Sequence, residues 1–218
     1  MKIKWLGHSA FLLSASDGTR VITDPYVPGS FDGGIRYRAI DDTCDGVTVS
    51  HDHADHNGCR GLPGKPAVIR GEGEHRVGTV PISGFATWHD EDRGRRRGDN
   101  TVFVFEVDGL RVCHAGDLGH VLPAPTVAAI GRVDVLLVPV GGYFTIGPDG
   151  ARAVARQLGA KVTIPMHYRT DRCDFDIAPV DDFLAGQPGV RRTGASEVEV
   201  GRDTLPAEPE IWVLEHAR

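Results

Sequence analysis

The segment His51-Asp52-His53-Ala54-Asp55-His56 constrains this chain more than any other. It follows Asp45-Gly46-Val47-Thr48-Val49-Ser50, a short β-branched run that reads as a strand. In an extended or turning backbone His51 and His53 point to one side because side chains alternate, while Asp55 and His56 follow where the chain bends away. Two imidazoles can then hold one cation and an Asp/His pair a second, in a site that opens at the carboxyl end of a strand. Neutral imidazole and carboxylate at this spacing suit zinc, manganese or iron. A solvated loop with histidines clustered by chance accounts for the pattern less well. A purification tag is excluded, because tags are terminal and repetitive.

The chain has 218 residues, enough for a real core, and no linker-like stretch or composition shift divides it. Residues 1–218 are therefore expected to form a single domain. Its 28 glycines and 14 prolines imply many short elements joined by tight turns, hence a strand-rich layered fold. The net charge of −6 disfavours attraction to nucleic-acid phosphates or anionic membranes. One basic knot, Arg93, Arg95, Arg96 and Arg97, is flanked by Asp90, Glu91, Asp92 and Asp99. It reads as a self-neutralising loop, with an anionic small substrate left open. Cys44, Cys59, Cys113 and Cys173 show no C-x-x-C spacing, so reduced thiols and a cytoplasmic location are expected. The apolar stretch behind Lys2 and Lys4 is interrupted by Gly7-His8-Ser9, which argues against a secretory signal, and no segment is long enough to span a bilayer.

Strands are expected at Ile3–Leu6, Ala10–Ser14 and Arg20–Thr23, the last two joined by the turn signal Asp17-Gly18. Further strands are expected at Val47–Ser50, Ala67–Ile69, Thr79–Ile82 and Gly84–Trp88, and a second hairpin joins Thr101–Val107 to Leu110–His114 across Asp108-Gly109. Val133–Val140 reads as a strand buried on both faces, with Val162–Pro165 and Ile211–Leu214 beyond it. Three helices are expected: Pro123–Ile130 stopped by Gly131, Ala151–Leu158 stopped by Gly159, and Pro179–Leu184 followed by Gly186.

One loop cannot close two metal shells, and further donors stand where expected strands end: His89, Asp117 and His167. The succession from His51 through His56 to His89, Gly116-Asp117 and His167 resembles the metallo-β-lactamase superfamily over the whole chain. Trp5-Leu6-Gly7-His8-Ser9, Thr23-Asp24-Pro25, Gly116-Asp117-Leu118-Gly119-His120, Pro139-Val140-Gly141-Gly142 and Ile164-Pro165-Met166-His167-Tyr168 resemble the branch containing L-ascorbate 6-phosphate lactonase.

That resemblance implies an α+β fold, a four-layer αβ/βα sandwich of two mixed sheets with helices outside and the metals at one edge. It implies that His51, His53 and His89 hold the first of two divalent ions, most readily zinc, with manganese or iron as alternatives. Asp55, His56 and His167 would hold the second, with Asp117 bridging. His114 competes with His89 for the third imidazole position, and His89 matches the family order. His8 is a candidate to bind substrate or protonate the leaving group, Asp24 to orient a ligand imidazole, and Asp52 to do likewise or face water. Gly141-Gly142 would let the backbone pass close to the site, with Tyr143 and Thr145 lining its wall. For Arg97, a salt bridge with a nearby acid is expected. His75, His120 and His216 are left as surface or packing residues.

The function that follows is metal-dependent hydrolysis of an ester, lactone or phosphoester bond in a small anionic substrate by a metal-bridging hydroxide, with Asp55 steering the nucleophile. A nuclease with the same motif is the alternative, disfavoured by the acidic charge. So is a non-catalytic metal- or metabolite-binding protein, disfavoured because no ligand of the pattern is missing. The expected partner is a small molecule, and self-association into a homo-oligomer is left open.

Overall fold

The computed structural model describes all 218 residues. The first sheet contains β1 (Lys2–Gly7), β2 (Ala10–Ser14), β3 (Arg20–Thr23), β4 (Gly46–Val49) and β5 (Ala67–Arg70). Between β3 and β4 lies a single turn, α1 (Ser30–Gly33). The second sheet begins with β6 (Gly73–Val77), β7 (Val80–Trp88), β8 (Asp99–Val107) and β9 (Leu110–His114). It continues through α2 (Ala124–Ile130), β10 (Val135–Pro139), α3 (Pro148–Leu158), β11 (Val162–Met166), α4 (Val180–Leu184) and β12 (Val190–Arg192). β13 (Glu197–Glu199) then returns to the first sheet, and β14 (Glu210–Val213) closes the chain in the second. The sheet orders are β13-β1-β2-β3-β4-β5 and β12-β14-β11-β10-β9-β8-β7-β6.

Alternation explains the stacking. Ile3, Trp5, Phe11, Leu13 and Val21 of the first sheet join the main core with Phe103, Phe105 and Val112 of the second. Leu6, Ala10, Leu12, Ile22 and Val47 turn the other way, where Tyr26, Ile35, Tyr37, Ile40 and Leu62 from connecting segments cover them. The outer cover of this sheet is thus mostly irregular chain, and α1 itself holds Phe31 and Asp32 at a φ of 53°. Helices α2, α3 and α4 lie against the second sheet, where α3 touches β10, α2 and α4. It buries Ala151, Val154 and Leu158, one stripe at helical spacing, and ends where Gly159 takes a φ of 62°. With both faces covered, β10 is buried at every position.

Both expected hairpins are present, β2 with β3 and β8 with β9. Two details differ from the sequence reading. Thr79–Ile82 and Gly84–Trp88 are one strand, because Gly84 is not a break. A Cβ there would lie 2.3 Å from the Gly71 carbonyl oxygen, so the glycine lets the neighbouring chain approach. The short strands β6, β12 and β13 carry no clear strand signal in the sequence, because their exposed, polar residues show little apolar alternation.

Direction matters most for the site. β7 and β9 both run antiparallel to β8, and β10 and β11 continue parallel to β9. The carboxyl ends of β7, β9, β10 and β11 therefore share one edge of the sheet. Phe105 is fully buried, whereas Val190 is 37% exposed. Phe105→Ala should cost roughly 3–5 kcal/mol and Val190→Ala no more than about 0.5 kcal/mol, read as urea midpoints at unchanged m.

Candidate metal centre

Five chain segments meet at that edge: the β1–β2 turn with His8, the loop after β4, and the residues just beyond β7, β9 and β11. A backbone hydrogen bond from Thr101 N–H to the Ser50 carbonyl, 2.9 Å, ties the end of β4 to β8. Asn100, unread from the sequence except as part of the Arg97-Gly98-Asp99-Asn100 string, organises the rest. Its Nδ2 donates to the Ala115 carbonyl (3.0 Å) and Thr87 Oγ1 (2.8 Å), and its Oδ1 accepts the Asp117 N–H (2.9 Å). Gly119 allows the next approach, since a Cβ there would meet His89 C and Asp90 N at 2.2 Å. Gly141 likewise passes the His167 carbonyl, to which its N–H donates at 3.1 Å.

The donors fall into two groups. His51, His53 and His89 form one, and His8, Asp55, His56 and His167 the other, with donor atoms inside each within 4.8 Å of one another. Asp117 stands between them. Its Oδ2 lies 3.2 Å from His89 Nε2, 3.2 Å from His167 Nε2 and 3.8 Å from His51 Nε2, and its Oδ1 lies 3.1 Å from His56 Nε2.

Buried partners set the tautomers. Asp24 accepts the Ser50 N–H (2.8 Å), the Ser50 hydroxyl (2.5 Å) and His56 Nδ1–H (2.8 Å). That leaves His56 Nε2 as the nitrogen facing Asp117 and Asp55. Ser50 Oγ has spent its proton on Asp24, so it accepts from His51 Nδ1 at 3.0 Å, and His51 Nε2 is freed toward the cluster. His114 stands apart from both groups: its Nε2 donates to the Ser9 carbonyl (2.8 Å) and its Nδ1 accepts the Gly116 N–H (3.2 Å). Both ring nitrogens being used, it is His89 that meets His51 and His53.

The electrostatics favour cation binding. Burial pushes His51 down to about 3, aided by the nearby His56, and burial lowers His53 also. These imidazoles are neutral at pH 7, the form that ligates. Burial alone would raise the carboxyl groups of Asp117 and Asp55, yet surrounding imidazoles, His167 and His56 for Asp117 and chiefly His56 for Asp55, hold both well below the carboxylate range. Conversely His56, which burial would lower, is lifted well above its ordinary value by Asp117 and Asp55. The pocket thus draws positive charge. Asp55 Oδ1, His56 Nε2 and Asp117 Oδ1 are buried without a hydrogen-bond partner, as expected of atoms shaped for an ion. The donor set of imidazoles and carboxylates fits a divalent cation.

Three expectations need correction. His8 is fully buried behind Asp55 and does not line the cavity, so it has no path to a leaving group. Burial pushes it down to about 4 and the Cys173 thiol up to about 11. The protonated thiol donates to His8 Nδ1 at 3.8 Å, and His8 Nε2–H donates to Asp55 Oδ2 at 3.1 Å, which makes His8 a positioning residue for Asp55. Tyr143 is 67% exposed, and neither it nor Thr145 lines the cavity; Phe144 does, with Phe31 and Phe175. Arg97 makes no salt bridge and lines the cavity with Arg96, while only Arg95 of the basic knot pairs with an acid, Asp92 at 3.4 Å. Asp52 is exposed and bonds Asn57, and His216 bonds Asp171 at the surface.

Asp24→Ala strips three donors of their acceptor in a fully buried place, so it should cost about 3 kcal/mol of stability. The check is urea denaturation, with the imidazole nitrogen resonances of His56 reporting loss of the fixed tautomer.

A family model described as a β-lactamase superfamily domain matches residues 2–167. A UPF0173 metal-dependent hydrolase of Methanospirillum hungatei is 34% identical over 202 residues, covering 82% of this chain and 88% of the relative. One of Archaeoglobus fulgidus is 31% identical over 198 residues, covering 78% and 84%. A crystal structure from Thermotoga maritima, of a proposed Zn-dependent hydrolase of the metallo-β-lactamase superfamily, superposes with a TM-score of 0.81 at 42% identity over 98% of both chains. No helix of this chain is long and apolar enough to cross a membrane. With the α+β sandwich, the converging donors and these matches together, the chain belongs to the metallo-β-lactamase superfamily, among the UPF0173 metal-dependent hydrolases.

Proposed function

We propose that this metal-dependent hydrolase carries two divalent cations and cleaves an ester, lactone or phosphoester bond in a small anionic molecule. The observation that carries the reading is the Asp117 carboxylate set between two imidazole groups, its Oδ2 within 3.2 Å of both His89 Nε2 and His167 Nε2 and its Oδ1 3.1 Å from His56 Nε2. In this reading His51, His53 and His89 hold one ion, Asp55, His56 and His167 the other, and Asp117 spans both. Zinc heads the candidates, in keeping with the description of the Thermotoga relative, with manganese or iron next. When bound, such a pair of cations brings the pKa of a shared water to about 7 and polarises the oxygen of the scissile bond.

The chain's own groups supply orientation. Asp55 stays ionised, has one oxygen held by His8 and the other without a partner, and lines the cavity. Its free Oδ1 accepts a hydrogen bond from an incoming water and so aims the water's oxygen lone pair at the substrate. Asp24, through His56 directly and through Ser50 to His51, keeps two imidazoles from rotating. The cavity is about 380 Å³, a size that supports a small substrate over a polymer, and the net charge of −6 supports the same choice over a nuclease. The motif resemblance to the branch containing L-ascorbate 6-phosphate lactonase supports trying lactones and phosphoesters in the panel. Four unpaired thiols fit a reducing, cytoplasmic setting.

The test is metal analysis by mass spectrometry joined to turnover of an ester, lactone and phosphodiester panel, before and after chelation and reloading with zinc, manganese or iron. Two ions per chain are expected. His53→Ala and Asp117→Asn should each lower metal content and cut kcat/KM by at least about 10²-fold. Full activity in the chelated, unreloaded protein would overturn the reading.

A further inference from the structure

The connection between β7 and β8 does more than deliver His89. Asp90, the next residue, is buried, and its carboxylate accepts four backbone N–H groups: Asp92 (2.8 Å), Gly94 (3.0 Å), Arg96 (3.0 Å) and Arg97 (2.8 Å). A single ionised side chain beside His89 thus shapes the loop and fixes where Arg96 and Arg97 leave the backbone. Both side chains line the cavity together with His53, Asp55, His89, Asp117 and His167, and neither has an acidic partner. The Arg97 guanidinium carbon sits 5.6 Å from the centre of the Phe144 ring, which orients it without satisfying its N–H donors. An oriented guanidinium with free donors, facing a cavity, is a carboxylate or phosphate receptor.

An apolar wall adjoins this guanidinium. Phe31 and Phe175 pack edge to face at 5.4 Å and 88°, and Phe175 and Phe144 at 5.9 Å and 68°. Phe31 is 52% exposed and sits at a φ of 53°, a left-handed backbone conformation that a bulky residue adopts at a cost. An exposed aromatic ring held in such a conformation at a cavity mouth has little to do for the core and much to offer a ligand.

From these two walls we infer that the substrate combines one oxyanion, a carboxylate or phosphate received by Arg97 with Arg96 beside it, and an aromatic or alkyl body that lies against Phe144, Phe175 and Phe31. The inference rests on the hydrolase reading for what happens to that molecule, but the recognition itself is a binding property. It specifies an apolar-bodied anionic ester or lactone in preference to a polyhydroxylated one.

The experiment titrates metal-loaded protein with phenylphosphonate and with methylphosphonate by calorimetry, for the unaltered chain, Arg97→Ala and Arg95→Ala. Phenylphosphonate should bind at least about tenfold more tightly than methylphosphonate. Arg97→Ala should weaken it by about tenfold or more, while Arg95→Ala, which removes the same charge outside the cavity, should leave it within about twofold. Unfolding temperatures of both variants establish that the loop is intact. Arg97→Ala binding like the unaltered chain, or Arg95→Ala losing as much, or no binding at millimolar ligand, overturns the anion assignment. Equal affinity for the two phosphonates overturns the apolar wall. A protein that binds as expected yet hydrolyses nothing retains this inference and loses the hydrolase reading, whereas equal turnover of neutral and anionic esters does the reverse.

Discussion

Three carboxylates, Asp24, Asp55 and Asp117, are buried within one cluster of imidazoles, and the arrangement of the whole edge follows from compensating that charge. Isolated, each would be forced to take up a proton by burial. Here the surrounding rings reverse the effect, and all three carboxyl groups are held below the usual range. The three have separate tasks. Asp24 spends its oxygens on protein N–H and O–H groups and so fixes ring orientation, while Asp117 and Asp55 each keep an oxygen without a hydrogen-bond partner. The division between a carboxylate that supports and carboxylates that receive is the chemical content of the site.

Such a cluster forms only if the strand ends approach more closely than ordinary side chains permit. Gly116, Gly119 and Gly141 stand where a Cβ would overlap a neighbouring segment, with nearest atoms at 2.3, 2.2 and 2.3 Å, far inside van der Waals contact. Around them, the Ser50–Thr101 hydrogen bond joins the two sheets at the same edge, and Asn100 ties β8 to the segment beyond β9. Rigidity at the carboxyl ends of β4, β7, β9 and β11 is therefore built by backbone contact. The walls above this floor are of a different kind, phenyl rings and a loop organised by Asp90.

Much of this was legible in the linear chain. The spacing from His51 to His56 sets which donors can share a face, and β-branched runs, Asp-Gly turns and terminal glycines mark the strands and helices that bracket them. His89, Asp117 and His167 could be picked out because each follows a strand-like run, and Asp24 because a buried imidazole needs an orienting acceptor. Harder to see were contacts whose partners are remote in sequence. His8 looked like a turn histidine open to substrate, but its burial behind Asp55 depends on Cys173 lying on its other side. Arg97 sits among acids in the sequence, yet the backbone N–H groups of its own loop claim Asp90, and its side chain is left to the cavity.

The sequence by itself determined the donor chemistry and the strand-rich layering, since these depend on residue type and short-range periodicity, and its motifs carried the resemblance that implied the family and its α+β sandwich. Only the tertiary structure decided that His89 rather than His114 joins His51 and His53, that His8 supports Asp55, and that Phe31, Phe144 and Phe175 line one cavity with Arg97. The reason is physical: side-chain alternation and turn propensity act over a few residues, whereas burial, tautomer and cavity lining are set by which distant segments pack together.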